Sequence, residues 1–247
     1  MQSNKYTCLL LLILVCGGCK KSEFFKPDDP QYDINTYISF TVNGSITVLA
    51  DGQQTLPILC ELKEADTTDF FTFNFPDTAG RLLLTTDVNK EFMEHDTATI
   101  LFQASTYPGV YTFATQLDGR ETTNHSFTIT TQPSLPDTLL VDADKSIADT
   151  AAGSVVNFTV YLKRKIGYVS NHTPIDVTAY QVRGGTNVTV GRFTGLSTNG
   201  SDPTGKVQIQ YFTDTGDLDR SQLITVVFSS PNNNNGTTTT VYSLKTK

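Results

Sequence analysis

The sequence predicts an all-β chain built as two tandem antiparallel β-sandwiches, and three observations carry that prediction. Threonine occurs 39 times in 247 residues, Met only twice and Trp not at all; β-branched side chains fit a pleated, half-buried surface and lose rotamer freedom in a helix. Apolar residues recur at every second position in short segments bounded by Gly, Pro, Asp and Asn, which is strand arithmetic. Two such series are separated by Gln132-Pro133-Ser134-Leu135-Pro136-Asp137, where two prolines remove ladder donors and stiffen the chain. The length allows each series about a hundred residues, enough to bury a core of its own.

The N-terminus comes first. A short segment carrying Lys5 is followed by an apolar run from Cys8 to Cys16 and then by Gly17, Gly18 and Cys19. That run is too short to cross about 30 Å of hydrocarbon, which takes about 20 apolar residues, but it suits a secretory signal. Val15-Cys16-Gly17-Gly18-Cys19 resembles a bacterial lipobox. The resemblance implies that residues 1–18 are a lipoprotein signal peptide and that Cys19 becomes the first residue, carrying diacylglycerol and palmitate. It also implies lipid anchoring at the outer membrane, with the cell surface as the expected side and the periplasmic face as the alternative. Several acyl chains, at about 0.8 kcal/mol per buried CH₂, hold a protein on a membrane permanently. Residues 19–33, rich in Lys, Asp and Pro, read as a tether.

Cysteine arithmetic follows. Cys8 and Cys16 leave with the signal and Cys19 is the lipid attachment point, so Cys60 alone remains and no intrachain disulfide is expected. Cys60 sits at an inward strand position and reads as a small buried hydrophobe.

The first sandwich is expected over residues 34–132. Ile38, Phe40 and Val42 alternate, then Ile46 and Val48, and Leu56, Ile58, Cys60 and Leu62 point one way. Phe71, Phe73 and Phe75 make a stripe that reads as core rather than as a ligand platform, followed by Ala98, Ile100 and Phe102 and by strands through Val110 and Phe127. The second is expected over residues 137–247, from Leu139 and Val141 through Val156, Phe158, Val160 and Leu162 to Ile175, Val177 and Ala179. Val207, Ile209 and Tyr211, then Ile224, Val226 and Phe228, complete its core, with a last strand at Val241 to Leu244. Residues 229–240, with four consecutive asparagines, are predicted to be a mobile hairpin tip.

Ile46-Thr47-Val48-Leu49-Ala50-Asp51-Gly52, the segment Phe71 to Phe75, and Tyr107-Pro108-Gly109-Val110-Tyr111-Thr112-Phe113 together resemble the immunoglobulin-like domains of bacterial invasins and intimins, which repeat an Ala-Asp-Gly turn before the second strand. The second half is similar in Val141-Asp142-Ala143-Asp144, in Gly153 to Val160 and in Asp202 to Ile209. The resemblance implies two immunoglobulin-like sandwiches with Tyr111 as a tyrosine corner. Phe113 then takes the place of the second core cysteine and Cys60 that of the first.

Chemistry is sparse. With 18 basic against 25 acidic residues, a net charge of −7 and a pI near 4.9, the chain lacks the electrostatic footprint of a nucleic-acid binder. His95, His125 and His172 stand apart, with no metal-binding spacing, and no nucleophile elbow or phosphate loop occurs. No catalytic residues, cofactor or metal are assigned, and the chain is expected not to be an enzyme. Asp142 with Asp144, and Asp214 to Asp219, are clustered carboxylates; such spacing suits either solvated turns or a calcium site between the sandwiches. Tyr161, Tyr180 and Tyr211 are candidates for exposed recognition because tyrosine joins apolar area to a polar tip. The sequons at Asn43, Asn157, Asn171 and Asn187 are incidental in a bacterial protein. The function expected is a non-catalytic, lipid-anchored adhesion, spacer or binding module with a protein or glycan ligand. The alternative is an accessory glycan-binding lipoprotein of an outer-membrane nutrient-uptake complex.

Overall fold

The computed structural model describes residues 38–42, 47–62, 70–84, 90–92, 97–117, 125–150, 153–195, 200–213 and 218–247. The expected signal peptide (residues 1–18), Cys19, the expected tether (residues 19–33) and His95 lie outside the described residues. Those described form strands, turns and bends and no helix, so the all-β prediction holds. The first sandwich contains β1 (Ile38–Val42), β2 (Thr47–Leu49), β3 (Thr55–Leu62), β4 (Phe70–Asn74), β5 (Gly80–Leu83), β6 (Lys90–Phe92), β7 (Thr97–Ala104), β8 (Gly109–Leu117) and β9 (His125–Gln132). Its sheets run β1-β3-β7-β5 and β2-β9-β8-β4-β6.

The second contains β10 (Thr138–Ala143), β11 (Ile147–Ala148), β12 (Val155–Lys163), β13 (Asp176–Arg183), β14 (Thr186–Thr189), β15 (Arg192–Thr194), β16 (Lys206–Phe212), β17 (Ile224–Pro231) and β18 (Thr237–Thr246). Its sheets run β10-β12-β16-β15 and β11-β18-β17-β13-β14. The strand orders match, yet the connections differ. After β4 the first sandwich crosses to β5, beside β7, before returning to β6, beside β4; the second forms β14 beside β13 and only then crosses to β15, beside β16.

The pairing is antiparallel, as the sequence predicts, apart from one short parallel contact in each sandwich. In each sandwich the opening strand is split: β1 and β10 pair antiparallel with β3 and β12, while β2 and β11 run parallel to β9 and β18. The split lets one stretch of chain border both sheets, and it enters the second sheet running in the same direction as the closing strand.

Alternation explains the cores. In β7, Ala98, Ile100, Phe102 and Ala104 are buried between more exposed neighbours, and β12 and β16 behave likewise. Phe71 and Phe73 face inward, and Phe75 stacks on Phe113 at 4.6 Å. Phe113 also meets Phe102 edge-on at 5.2 Å and stacks on Phe127 at 5.1 Å. Cys60 is buried in the same cluster and is in no disulfide among the described residues. Aromatic burial, at about 1.5–3 kcal/mol per large side chain, therefore stands where a disulfide would otherwise cross the core. The Tyr111 hydroxyl donates to the Tyr107 carbonyl at 2.9 Å, which is the bond of a tyrosine corner. Burial, helped by neighbouring Tyr107, pushes the Tyr111 phenol above its ordinary range against the opposing hydrogen bonds of Thr78 and Thr131.

One recognition candidate is corrected. Tyr211 is 0% exposed: the period of β16 turns it inward with Val207 and Ile209, and its hydroxyl donates to the Val190 carbonyl at 3.3 Å. Tyr161 is half-buried under the Lys163 ammonium, and Tyr180 is half-buried in the opposite sheet, so the three share no surface.

Phe113→Ala is expected to destabilise the first sandwich by about 3–5 kcal/mol and Tyr111→Phe by about 1 kcal/mol, read by denaturant unfolding. Cys60 should react with thiol reagents only as the first sandwich unfolds; rapid labelling of the native protein would contradict its placement in the core.

Candidate functional site at the joint between the sandwiches

The Ala-Asp-Gly turn is the starting point. The Asp51 carboxylate is buried and its Oδ1 accepts from the N–H groups of Gln53 (2.9 Å) and Gln54 (2.7 Å), while Gln54 Oε1 accepts from Leu49 N–H at 2.6 Å. Gly52 takes φ 71°, as this tight turn requires. With its own donors satisfied locally, the turn presents carbonyls to the second sandwich. Tyr168 N–H donates to the Asp51 carbonyl at 2.8 Å, and the Ser170 hydroxyl donates to the Ala50 carbonyl at 2.8 Å. From the neighbouring turn, the Thr106 carbonyl accepts Asn171 N–H at 2.7 Å, and the rings of Tyr107 and His172 meet edge-on at 6.2 Å.

The linker is built into this contact. Ser134 is 0% exposed. Its N–H donates to Ser170 Oγ (2.7 Å), its carbonyl accepts Ser170 N–H (2.8 Å), and its hydroxyl donates to the Tyr168 carbonyl (2.7 Å) and accepts from Arg164. Thr173 and Ser201 hydroxyls close on the Ser170 carbonyl at 2.7 and 3.0 Å. The packing leaves no room for extra atoms: a Cβ on Gly167 would lie 2.8–2.9 Å from the Asp51 side chain, at a φ of +73°.

The asparagine-rich hairpin also joins in, against the expectation of a long mobile tip. β17 continues to Pro231 and β18 begins at Thr237, leaving only residues 232–236. Asn233 Oδ1 accepts Leu135 N–H at 3.2 Å, and its Nδ2 donates to the Leu135 carbonyl at 3.0 Å. Asn232 Oδ1 caps the turn by accepting from Asn234 and Gly236 N–H. The polar composition serves a clamp on the linker.

Beside the joint lies a groove of about 900 Å³ on the outer face of the sheet containing β12 and β16. Its floor carries the outward residues Asn157, Thr159, Gln208 and Gln210, and its joint end is walled by His172, Ser201 and Asp202. Gln210 Nε2 donates to Asn157 Oδ1 at 3.0 Å, and Asn157 Nδ2 donates to Asp144 Oδ2 at 2.7 Å. These amides and hydroxyls can hydrogen-bond a polar ligand.

Of the clustered carboxylates, Asp144 and Asp219 accept local hydrogen bonds, from Asn157 and from Ser221. Burial raises the Asp144 carboxyl, but bonds from Asn157 and the charge of Lys145 outweigh it and hold the group below the usual range. Asp202 follows the same pattern, with burial outweighed by bonds from Thr204 and Lys206. The Ser221 hydroxyl and N–H lower Asp219. Asp214 lies outside the described residues. Among the described residues no group of three or more His, Cys, Asp or Glu could hold a metal ion. His172 lines the groove at φ 61° and His125 lies on β9.

No protein-family model matches the chain, and no curated protein matches it. Among solved structures, the adhesin InvE of Yersinia pseudotuberculosis has a TM-score of 0.57 at 15% identity, over 86% of this chain and 61% of that one. Invasin, a bacterial integrin-binding protein, has a TM-score of 0.52 at 12% identity, over 85% of this chain and 39% of that one. The chain thus spans about three fifths of the first protein's length and two fifths of the second's.

Two outcomes follow from the geometry. Gly167→Val, which drives a side chain into Asp51, should separate one cooperative melting transition into two in calorimetry, while each sandwich keeps its β-sheet signal. Stability from the depressed carboxylates is complete above the ordinary Asp pKa of about 3.9 and is lost as pH falls through the lower native values. Melting temperature should therefore drop on acidification below about pH 4, and Asp202→Asn should lower it at neutral pH while weakening that dependence. The structural likeness is one of fold: the chain carries two tandem immunoglobulin-like β-sandwiches, similar in fold to those of InvE and invasin.

Proposed function

We infer that this chain is a non-catalytic, lipid-anchored protein of the bacterial cell envelope whose two sandwiches act as one stiff adhesion, spacer or binding module. The observation that carries the reading is the joint. Ala50, Asp51 and Thr106 give their carbonyls directly to Ser170, Tyr168 and Asn171, and the linker residue Ser134 is buried between them. Tandem domains move relative to one another unless their interface prevents it, so a bonded joint suits a module that holds a recognition surface at a fixed distance from its anchor. Cys19 supplies that anchor, with palmitate and diacylglycerol in the outer membrane and the sandwiches at the cell surface. The fold shared with InvE and with invasin, described as integrin-binding, supports a protein as ligand.

The amide floor of the groove favours a second reading, the accessory glycan-binding lipoprotein. Asn157, Gln208 and Gln210 present donors and acceptors suited to sugar hydroxyls. The two readings separate by binding. Adhesion expects retention on immobilised protein, unaltered by Gln208→Ala, and no retardation in polysaccharide gels. Glycan binding expects retardation that Gln208→Ala abolishes. The anchor is tested separately: Cys19→Ala should move the protein from the detergent phase to the aqueous phase, and an unchanged partition would remove lipidation from the account.

A further inference from the structure

The polar floor of the groove has an apolar neighbour. On the same outer face, one row nearer the joint, Tyr161 of β12 stands between Lys206 of β16, which lines the groove, and Leu140 of β10. The burial periods agree. Asn157, Thr159 and Tyr161 alternate with the buried Val156, Phe158, Val160 and Leu162, and Leu140 follows the buried Leu139. Leu140 is 54% exposed and Tyr161 half-buried, and neither belongs to the core of the second sandwich. A single exposed leucine is ordinary. This one lies directly across from an aromatic ring, and side chains so placed in an antiparallel pair touch, so the two form a shelf continuous with the row of amides and hydroxyls.

The face therefore changes character along the strands. Ring and aliphatic surface lie at one end, then Thr159 opposite Gln208, then Asn157 opposite Gln210. From Tyr161 to Asn157 the strand advances about 13 Å, longer than one sugar ring. A pyranose is amphipathic in the same way, with C–H groups on the faces of its ring and hydroxyls around the rim. Charge selects among such ligands. Lys206 and Asp202 both line the groove, with the Lys206 N–H donating to Asp202 Oδ1 at 3.0 Å. On the shelf Lys163 lies over the Tyr161 ring at 5.6 Å, and Asp142 stands opposite Thr159 on β10. Bases and acids balance across the face of a chain whose net charge is −7, so an anionic polymer meets no attracting field. The Lys163 ammonium is at the outer reach of a cation–π contact, which leaves it displaceable by a ring seated on Tyr161. β12 is paired on both sides, to β10 and β16, so it offers side chains and no backbone border to an added peptide strand.

We propose that the groove and this shelf are one binding face for a linear neutral polysaccharide. One sugar ring sits on Tyr161 and Leu140, and the units that follow are hydrogen-bonded by Thr159, Gln208, Asn157 and Gln210. The proposal rests on the glycan reading of the groove and adds to it the class of glycan and the residue on which the ring stacks. It is independent of lipid anchoring.

Affinity electrophoresis of the full chain tests it, in native gels containing laminarin, glucomannan or pullulan, with polygalacturonate as the acidic counterpart. Retardation is expected in at least one neutral gel and not in polygalacturonate. Tyr161→Ala should weaken it by about tenfold, whereas Tyr161→Phe should keep it. Tyr180→Ala, on the opposite sheet, should leave it unchanged. If Tyr161→Ala lacks the native circular dichroism, Leu140→Gln replaces it at an already exposed position and should weaken retardation in the same direction. Retardation that Gln208→Ala abolishes but Tyr161→Ala leaves intact overturns the proposal and keeps the reading it rests on. Retardation by polygalacturonate alone overturns the neutral class, and no retardation in any gel removes the glycan reading and the proposal with it.

Discussion

The Ser170 hydroxyl holds three parts of the molecule at one point. It donates to the Ala50 carbonyl of the first sandwich, accepts the N–H of Ser134 in the linker, and belongs to a loop of the second. A hydroxyl used as donor and acceptor in a buried place leaves little freedom, because a buried polar group without a partner costs about 1–3 kcal/mol. Rotation of one sandwich against the other would strand the Ala50, Asp51 and Thr106 carbonyls together with the groups that bond them. The linker path, the placement of the asparagine hairpin over Leu135 and the close approach of Gly167 to Asp51 all depend on this arrangement.

The two sandwiches repeat one strand order but divide their tasks. The first keeps an aromatic core around Phe113 and a tyrosine corner at Tyr111, and supplies the turns into which its partner docks. The second carries the polar groove. A fold of this kind hosts unrelated functions, so recognition must be argued from such surfaces rather than from the sandwich itself. The exchanged order of the accessory strands, β5 then β6 against β14 then β15, leaves both cores intact because these strands lie at the borders of their sheets.

Much of the fold was legible because burial in a sheet imprints a period of two. Ile58 and Cys60, Ile100 and Phe102, Phe158 and Val160 stand inside where alternation puts them. The joint left no such imprint. Ser134, Tyr168, Ser170 and Asn171 lie in irregular segments, and their partners come from remote turns; no local pattern encodes a contact between surfaces. The Ala50-Asp51-Gly52 turn was visible as turn chemistry, but its outward carbonyls were not. Polar composition misled at residues 229–240, where most of the stretch is strand and the rest a clamp. Tyr211 was read both as core, from its period, and as a recognition candidate, from its polar tip; the period decides, and inside the core the Val190 carbonyl satisfies that tip.

The bonded joint fixes the two sandwiches relative to each other. Pulsed electron spin resonance between labels at Thr99 and Thr178, exposed positions on opposite sides of the joint, measures this directly. A single narrow distance distribution, broadened when Ser170 is replaced by Ala, is the predicted result. A broad distribution in the unmodified joint, unchanged by Ser170→Ala, would contradict it.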